Sequence, residues 1–121
     1  MSLISDALNG KPLVVFTPAK RGDLALVEET HSAVSLAGGT TRTTVHRLTR
    51  VANTTRDGRV TAVERMFYGK PLLGKPRDGV TLPCLIVSQS KVDAPAAFAA
   101  LGACEFSSVD AAREAVRHFC K

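Results

Sequence analysis

The residues best equipped for chemistry in this chain are its arginines, and they are clustered. Arg42, Arg47, Arg50, Arg56, Arg59, Arg65, Lys70, Lys75 and Arg77 lie in one stretch with only Asp57 and Glu64 against them, a local net charge of +7 in a protein whose total is +5. The guanidinium fork matches phosphate, and each neutralised phosphate releases a counterion, so such a block suits a polyanion. The same residues also suit a second reading, as solubilising charge on exposed strand faces.

Other chemistries find less support. Serine and threonine are plentiful, but no Ser, His and carboxylate group stands out, and the glycines do not form a phosphate loop leading into a strong helix. His46 lies in a Thr/Arg-rich segment without an evident carboxylate partner and reads as a surface or RNA-contacting histidine rather than a general base. The expectation is therefore not an enzyme, and no cofactor. Cys84, Cys104 and Cys120 form no CxxC pair, and His31, His46 and His118 do not complete a ligand set, so no metal site is expected. Free buried thiols are the expected state. Cys120, next to the C-terminus, is the most accessible candidate for a cross-link between copies.

The elements that position the arginines follow from length and pattern. At 121 residues, 12.8 kDa and 45% hydrophobic composition, residues 1–121 read as one domain in water. No apolar run reaches the roughly 20 residues of a membrane span, and Met1–Gly10 carries no signal-peptide pattern, so a cytoplasmic protein without a membrane partner is expected. Leu13–Phe16 and Leu24–Glu29, joined by a Lys20–Asp23 turn, predict an N-terminal hairpin, and His31–Leu36 a third strand. Thr40–Ala52 predicts a long strand, Asn53–Gly58 a turn, and Arg59–Tyr68 its antiparallel partner. On the latter, alternation sends Arg59, Thr61, Val63 and Arg65 one way, while Arg47 and Arg50, three apart, face opposite sides unless a bulge intervenes.

Gly69–Gly79, with its glycines and prolines, predicts a mobile basic loop, and Val80–Ser90 a strand. In Val92–Phe106 the alanines and the Asp93/Pro95 pair favour a helix, whereas completing the sheet calls for a strand, which is the expectation adopted. Ser107 or Ser108 caps a final helix with Val109, Ala112, Val116 and Phe119 along one face. One such helix cannot roof a sheet of five or six strands. A second copy is the expected cover, leaving the basic sheet face open.

This order of elements resembles the coat proteins of single-stranded RNA bacteriophages, of the levivirus type. The resemblance rests on the hairpin Leu13–Glu29, the basic hairpin around Asn53–Gly58, the glycine-rich loop ending in Gly79-Val80-Thr81-Leu82-Pro83, and the helix Ser108–Cys120. It implies an α+β fold: an N-terminal hairpin, a five-stranded antiparallel sheet and a C-terminal helix or helices, completed by an interlocked dimer. Dimers would close into an icosahedral shell around the genome, a virion assembled in the bacterial host cytoplasm. The inner sheet face would bind genomic RNA, including a hairpin that acts as translational operator. Carried over by position, the implied RNA-binding residues are Thr44, His46, Arg50, Arg59, Thr61 and Arg65, with Ser88 and Ser90 on the last strand, while Gly69–Gly79 matches the loop at the shell's symmetry axes. The alternative is a small RNA-binding module that forms no shell. Such modules usually stack bases on aromatic rings, and only Phe67 and Tyr68 lie near the basic strands.

Overall fold

A computed structural model describes residues 17–75, 79–88 and 91–121. Its architecture is α+β, a mostly antiparallel six-stranded sheet with two helices near the C-terminus. The strands are β1 (Leu24–Val34), β2 (Thr40–Thr54), β3 (Val60–Phe67), β4 (Lys70–Leu73), β5 (Cys84–Ile86) and β6 (Glu105–Phe106). The helices are α1 (Ala94–Leu101) and α2 (Val109–Arg117). Neighbours run β4-β3-β2-β1-β5, and β6 pairs with β2.

The long ribbon β1–β2 is the spine, in unbroken register from Leu24↔Arg50 to Val34↔Thr40. Leu24–Glu29 and His31–Leu36 were expected as two strands; instead β1 runs continuously to Val34, because no turn-forming residue separates them. The first arm of the expected N-terminal hairpin, Leu13–Phe16, lies outside the described residues. At the other end β2 turns into β3 through Thr55–Gly58, as the Asp57-Gly58 pair predicts. Gly58 has φ +89°, and a Cβ there would sit 2.7 Å from the Pro18 Cβ. Glycine is therefore required both by conformation and by space.

Three further expectations are corrected. Gly69–Gly79 is not irregular throughout: Tyr68 and Gly69 both have positive φ (49° and 79°), a tight turn that folds β4 back on β3. The expected strand Val80–Ser90 shrinks to Cys84–Ile86, directly after Pro83, which has no backbone donor for a ladder. Val92–Phe106 is chiefly helix rather than strand. The Asp93 side chain accepts from the Ala96 N–H at 3.3 Å, Pro95 occupies the first turn, and the helix closes at Gly102. Gly102 permits close packing, since a Cβ there would meet Met66 Cγ at 2.3 Å. α2 begins as expected, with Ser108 Oγ accepting from the Ala111 N–H at 3.1 Å and Asp110 and Arg117 placed favourably for the helix dipole.

Register divides the sheet into two faces. On the helix face, Leu24, Leu26 and Leu48 bury against Ala97 and Phe98 of α1 and Ala112 and Val116 of α2. The roof over these leucines is thus the chain's own pair of helices, and the expectation that a second copy must cover them is corrected. On the other face, Ala25, Val51, Val60 and Val63 form a smaller apolar cluster with Ala19, flanked by Leu82, Cys84 and Ile86. Beyond this proximal half, residues 30–44 project as a two-stranded arm exposed throughout.

Candidate nucleic-acid interface

The arginines are sorted between the faces by the pairing of β2 with β1 and β3. Arg50 lies opposite Glu64 and Thr49 beside it is buried, so Arg50 points to the helix face and Arg47 to the other. No bulge separates the two: the register shifts come later, around Asn53. Arg50 is engaged there, its Nε donating to Glu64 Oε2 and its guanidinium carbon 4.9 Å from the centre of the Phe98 ring. It is a structural cation.

The face turned away from the helices gathers a different set. Glu29, its side chain only 15% exposed, receives Arg47 at 3.2 Å and Arg65 at 2.8 Å, with His31 Nε2 at 3.7 Å. Arg47 also reaches Glu105 on β6 at 2.6 Å. Arg47 is largely covered and braces the cluster, while the Arg65 side chain remains 51% exposed and presents its charge to solvent. Register adds Phe67 and Lys70, a cross-strand pair, to the same face as Arg65.

Beside Arg65 opens a cleft of about 520 Å³. Val63, Leu72 and Leu82 supply apolar walls, while Thr61, Arg65 and Lys75 supply a hydroxyl and two cations. Apolar walls suit the flat face of a base and the cations suit its phosphate. At the end of the same strand Arg59 Nε donates to Asp57 at 3.0 Å. Hydrogen bonds from Thr55 and then Arg59 hold the Asp57 carboxyl below its ordinary range, so this turn stays paired to low pH.

The eight positions carried over from the coat family therefore do not share one face. Thr61 and Arg65 line the cleft; Arg59 is not part of its lining but precedes β3, bonded to Asp57 in the turn. Thr44, His46 and Arg50 follow the opposite parity, on the helix-face side. Thr44 is exposed on the arm, its hydroxyl 3.3 Å from that of Thr30. His46, expected at the surface, is 7% exposed: it pairs with Phe106 of β6, lies across from Glu28, and its Nδ1 has no partner among the described residues. Ser88 Oγ accepts from the Leu24 N–H at 3.1 Å and fastens the β1 start. Ser90 lies outside the described residues. Sequence reasoning passed over Arg47, Phe67, Lys70 and Lys75 as site residues. No signal in the residues alone marked Arg47, because its face relative to Arg65 is set by the β2–β3 register.

Among the described residues no group of three or more His, Cys, Asp and Glu side chains could hold a metal ion, and no helix is long and apolar enough to cross a membrane. The thiols are free, but none is fully buried as expected: Cys84 is half-buried, and Cys104 and Cys120, which follow α1 and α2, are exposed. Burial raises the Cys84 pKa and lowers its thiolate fraction. Timed alkylation at neutral pH is thus expected to modify Cys104 and Cys120 first and Cys84 last, read by peptide mass; early labelling of Cys84 would contradict its packing beside Val27 and Ile86. Compared with family models, with curated proteins and with solved structures, the chain matches none of them.

Proposed function

We propose that this protein is a coat-type structural protein: a homodimer that assembles into an icosahedral shell in a bacterial host and lines single-stranded genomic RNA with the sheet face opposite its helices. The observation that carries the RNA assignment is the cleft in which Thr61, Arg65 and Lys75 surround an apolar floor. Phosphate contacts there position the strand without reading much sequence, which suits a protein that must accept a whole genome. A hairpin operator, through which the protein represses translation, would be the specific form of the same ligand. Thr44 lies on the helix-face side of β2, Ser88 Oγ is engaged by the Leu24 N–H, and His46 and Arg50 are held within the fold, so the contact set reduces to Arg59, Thr61, Arg65 and the neighbouring Phe67, Lys70 and Lys75.

The second reading, a small RNA-binding module, is favoured by one observation: the helices roof the sheet of their own chain, so a lone copy buries a core. Electron microscopy and absorbance at 260 nm of the purified, expressed chain separate the two. The coat reading expects closed particles that contain nuclease-protected RNA. A small soluble species that binds RNA and never closes into particles would overturn it in favour of the module.

A further inference from the structure

Arg65 does not meet the cleft as a free cation. Glu29, on the sheet face opposite the helices, binds Arg47 through Oε2, which accepts from Arg47 Nε at 3.2 Å. Its other oxygen, Oε1, is buried and accepts no aligned hydrogen bond among the described residues, although Arg65 Nη1 stands 2.8 Å away. The contact with Arg65 is therefore one of charge, without the directed bond that fixes Arg47. Arg47 also keeps Glu105 at 2.6 Å, so Arg65 is the partner that Glu29 releases with least loss to the fold. The face as a whole is less positive than its arginines suggest. Asp57 answers Arg59, Glu29 and Glu105 answer Arg47 and Arg65, and among the described residues Lys70 and Lys75 are the cations there without an ion pair.

We propose that Glu29 is a built-in competitor for RNA phosphate: a positioning residue that holds the Arg65 guanidinium beside the cleft and lowers the cleft's affinity. This rests on the RNA reading and names a control on that same site. Of the three carboxylates on the face, Glu29 is the one that touches a cation lining the cleft. The guanidinium carries five N–H donors, so those turned away from Glu29 can take a phosphate. That phosphate then lies one guanidinium's width from the carboxylate, and the two anions repel. Weak contact at each copy suits a protein that lines a long strand, because many copies on one strand supply the overall affinity. An ion pair that served only the fold would have the opposite sign: its loss would weaken fold and binding together, whereas loss of a competitor tightens binding.

The test measures binding of a labelled single-stranded RNA of mixed sequence to the full chain at about 0.1 M salt. Glu29→Gln keeps the side-chain shape and can still accept from Arg47, and it is expected to bind about 10-fold tighter. In an Arg65→Ala background the same change is expected to gain less than about 3-fold, because its effect runs through Arg65. Glu105→Gln removes an equal charge beside the covered Arg47 and is expected to change affinity by less than about 2-fold. Where Glu29→Gln fails to fold by circular dichroism, Glu29→Asp, whose shorter side chain withdraws from Arg65, is read in its place, with a gain of at least about 3-fold expected. A wild-type chain that binds RNA, with the Glu29 variant binding equally or more weakly, overturns the competitor and leaves the RNA reading standing. Equal gains from the Glu29 and Glu105 variants do the same, since overall charge then explains them. No binding by the wild type or by the Glu29 variant overturns both.

Discussion

Joint replacement of Arg65 and Lys75 by alanine is expected to weaken binding of a single-stranded RNA by about 10- to 25-fold at 0.1 M salt. Each phosphate contact with a single strand contributes about 0.7 to the slope of log affinity against log salt, so two lost contacts flatten the slope by roughly 1.4. The loss should shrink as salt rises. The fold should survive, because Arg65 is half exposed and its removal leaves Glu29 still paired with Arg47. Net charge alone would give a similar loss from any two cations. The control is therefore Arg113→Ala with Arg117→Ala, the same charge change on exposed positions of α2, where little effect is expected. Equal losses from both pairs would show that overall charge, not this face, attracts the RNA.

Phe98→Ala is expected to cost about 3 to 5 kcal/mol, a large share of a typical domain's 5 to 15. Phe98 is 2% exposed and joins α1 to Leu24, Leu26 and Leu48. Its ring also carries the Arg50 guanidinium, so truncation leaves Arg50 and Glu64 without part of their cover. Denaturant unfolding at several protein concentrations measures this. A loss independent of concentration follows from helices that roof their own chain, whereas one that vanishes on dilution would mean that the roof belongs to a partner. A cost below about 1 kcal/mol would contradict the packing of α1 altogether.

How much of this was visible in the residues alone depended on whether local chemistry agreed with the tertiary demand. The β2–β3 hairpin was legible because Thr- and Val-rich arms flank Asp57-Gly58, and α2 because the Ser108 cap precedes Val109, Ala112, Val116 and Phe119 at helical spacing. α1 was misassigned by argument rather than by signal: Asp93, Pro95 and the alanines specify a helix, but the supposed need for another strand overrode them. β4 was hidden by Gly69 and Pro71. Here Gly69 makes the turn, and Pro71 sits on the edge strand of the sheet, where the missing donor is tolerated.

The site was half legible. Thr61 and Arg65 were correctly placed together by simple alternation along β3. The partition of Arg47 from Arg50 could be stated, but not which arginine joins Arg65, because that depends on the β2–β3 register and its shifts around Asn53. Glu29, which gathers Arg47 and Arg65 from two other strands, and Lys75, beyond β4, enter the site only through the folded topology.

Photo-cross-linking of bound RNA followed by peptide mass spectrometry tests most directly which face carries the nucleic acid. Adducts are expected in the peptides around Arg65, Phe67 and Lys75, with none at Arg113 or Arg117. Adducts concentrated on α1 and α2, with the β3–β4 hairpin unmodified, would contradict the account.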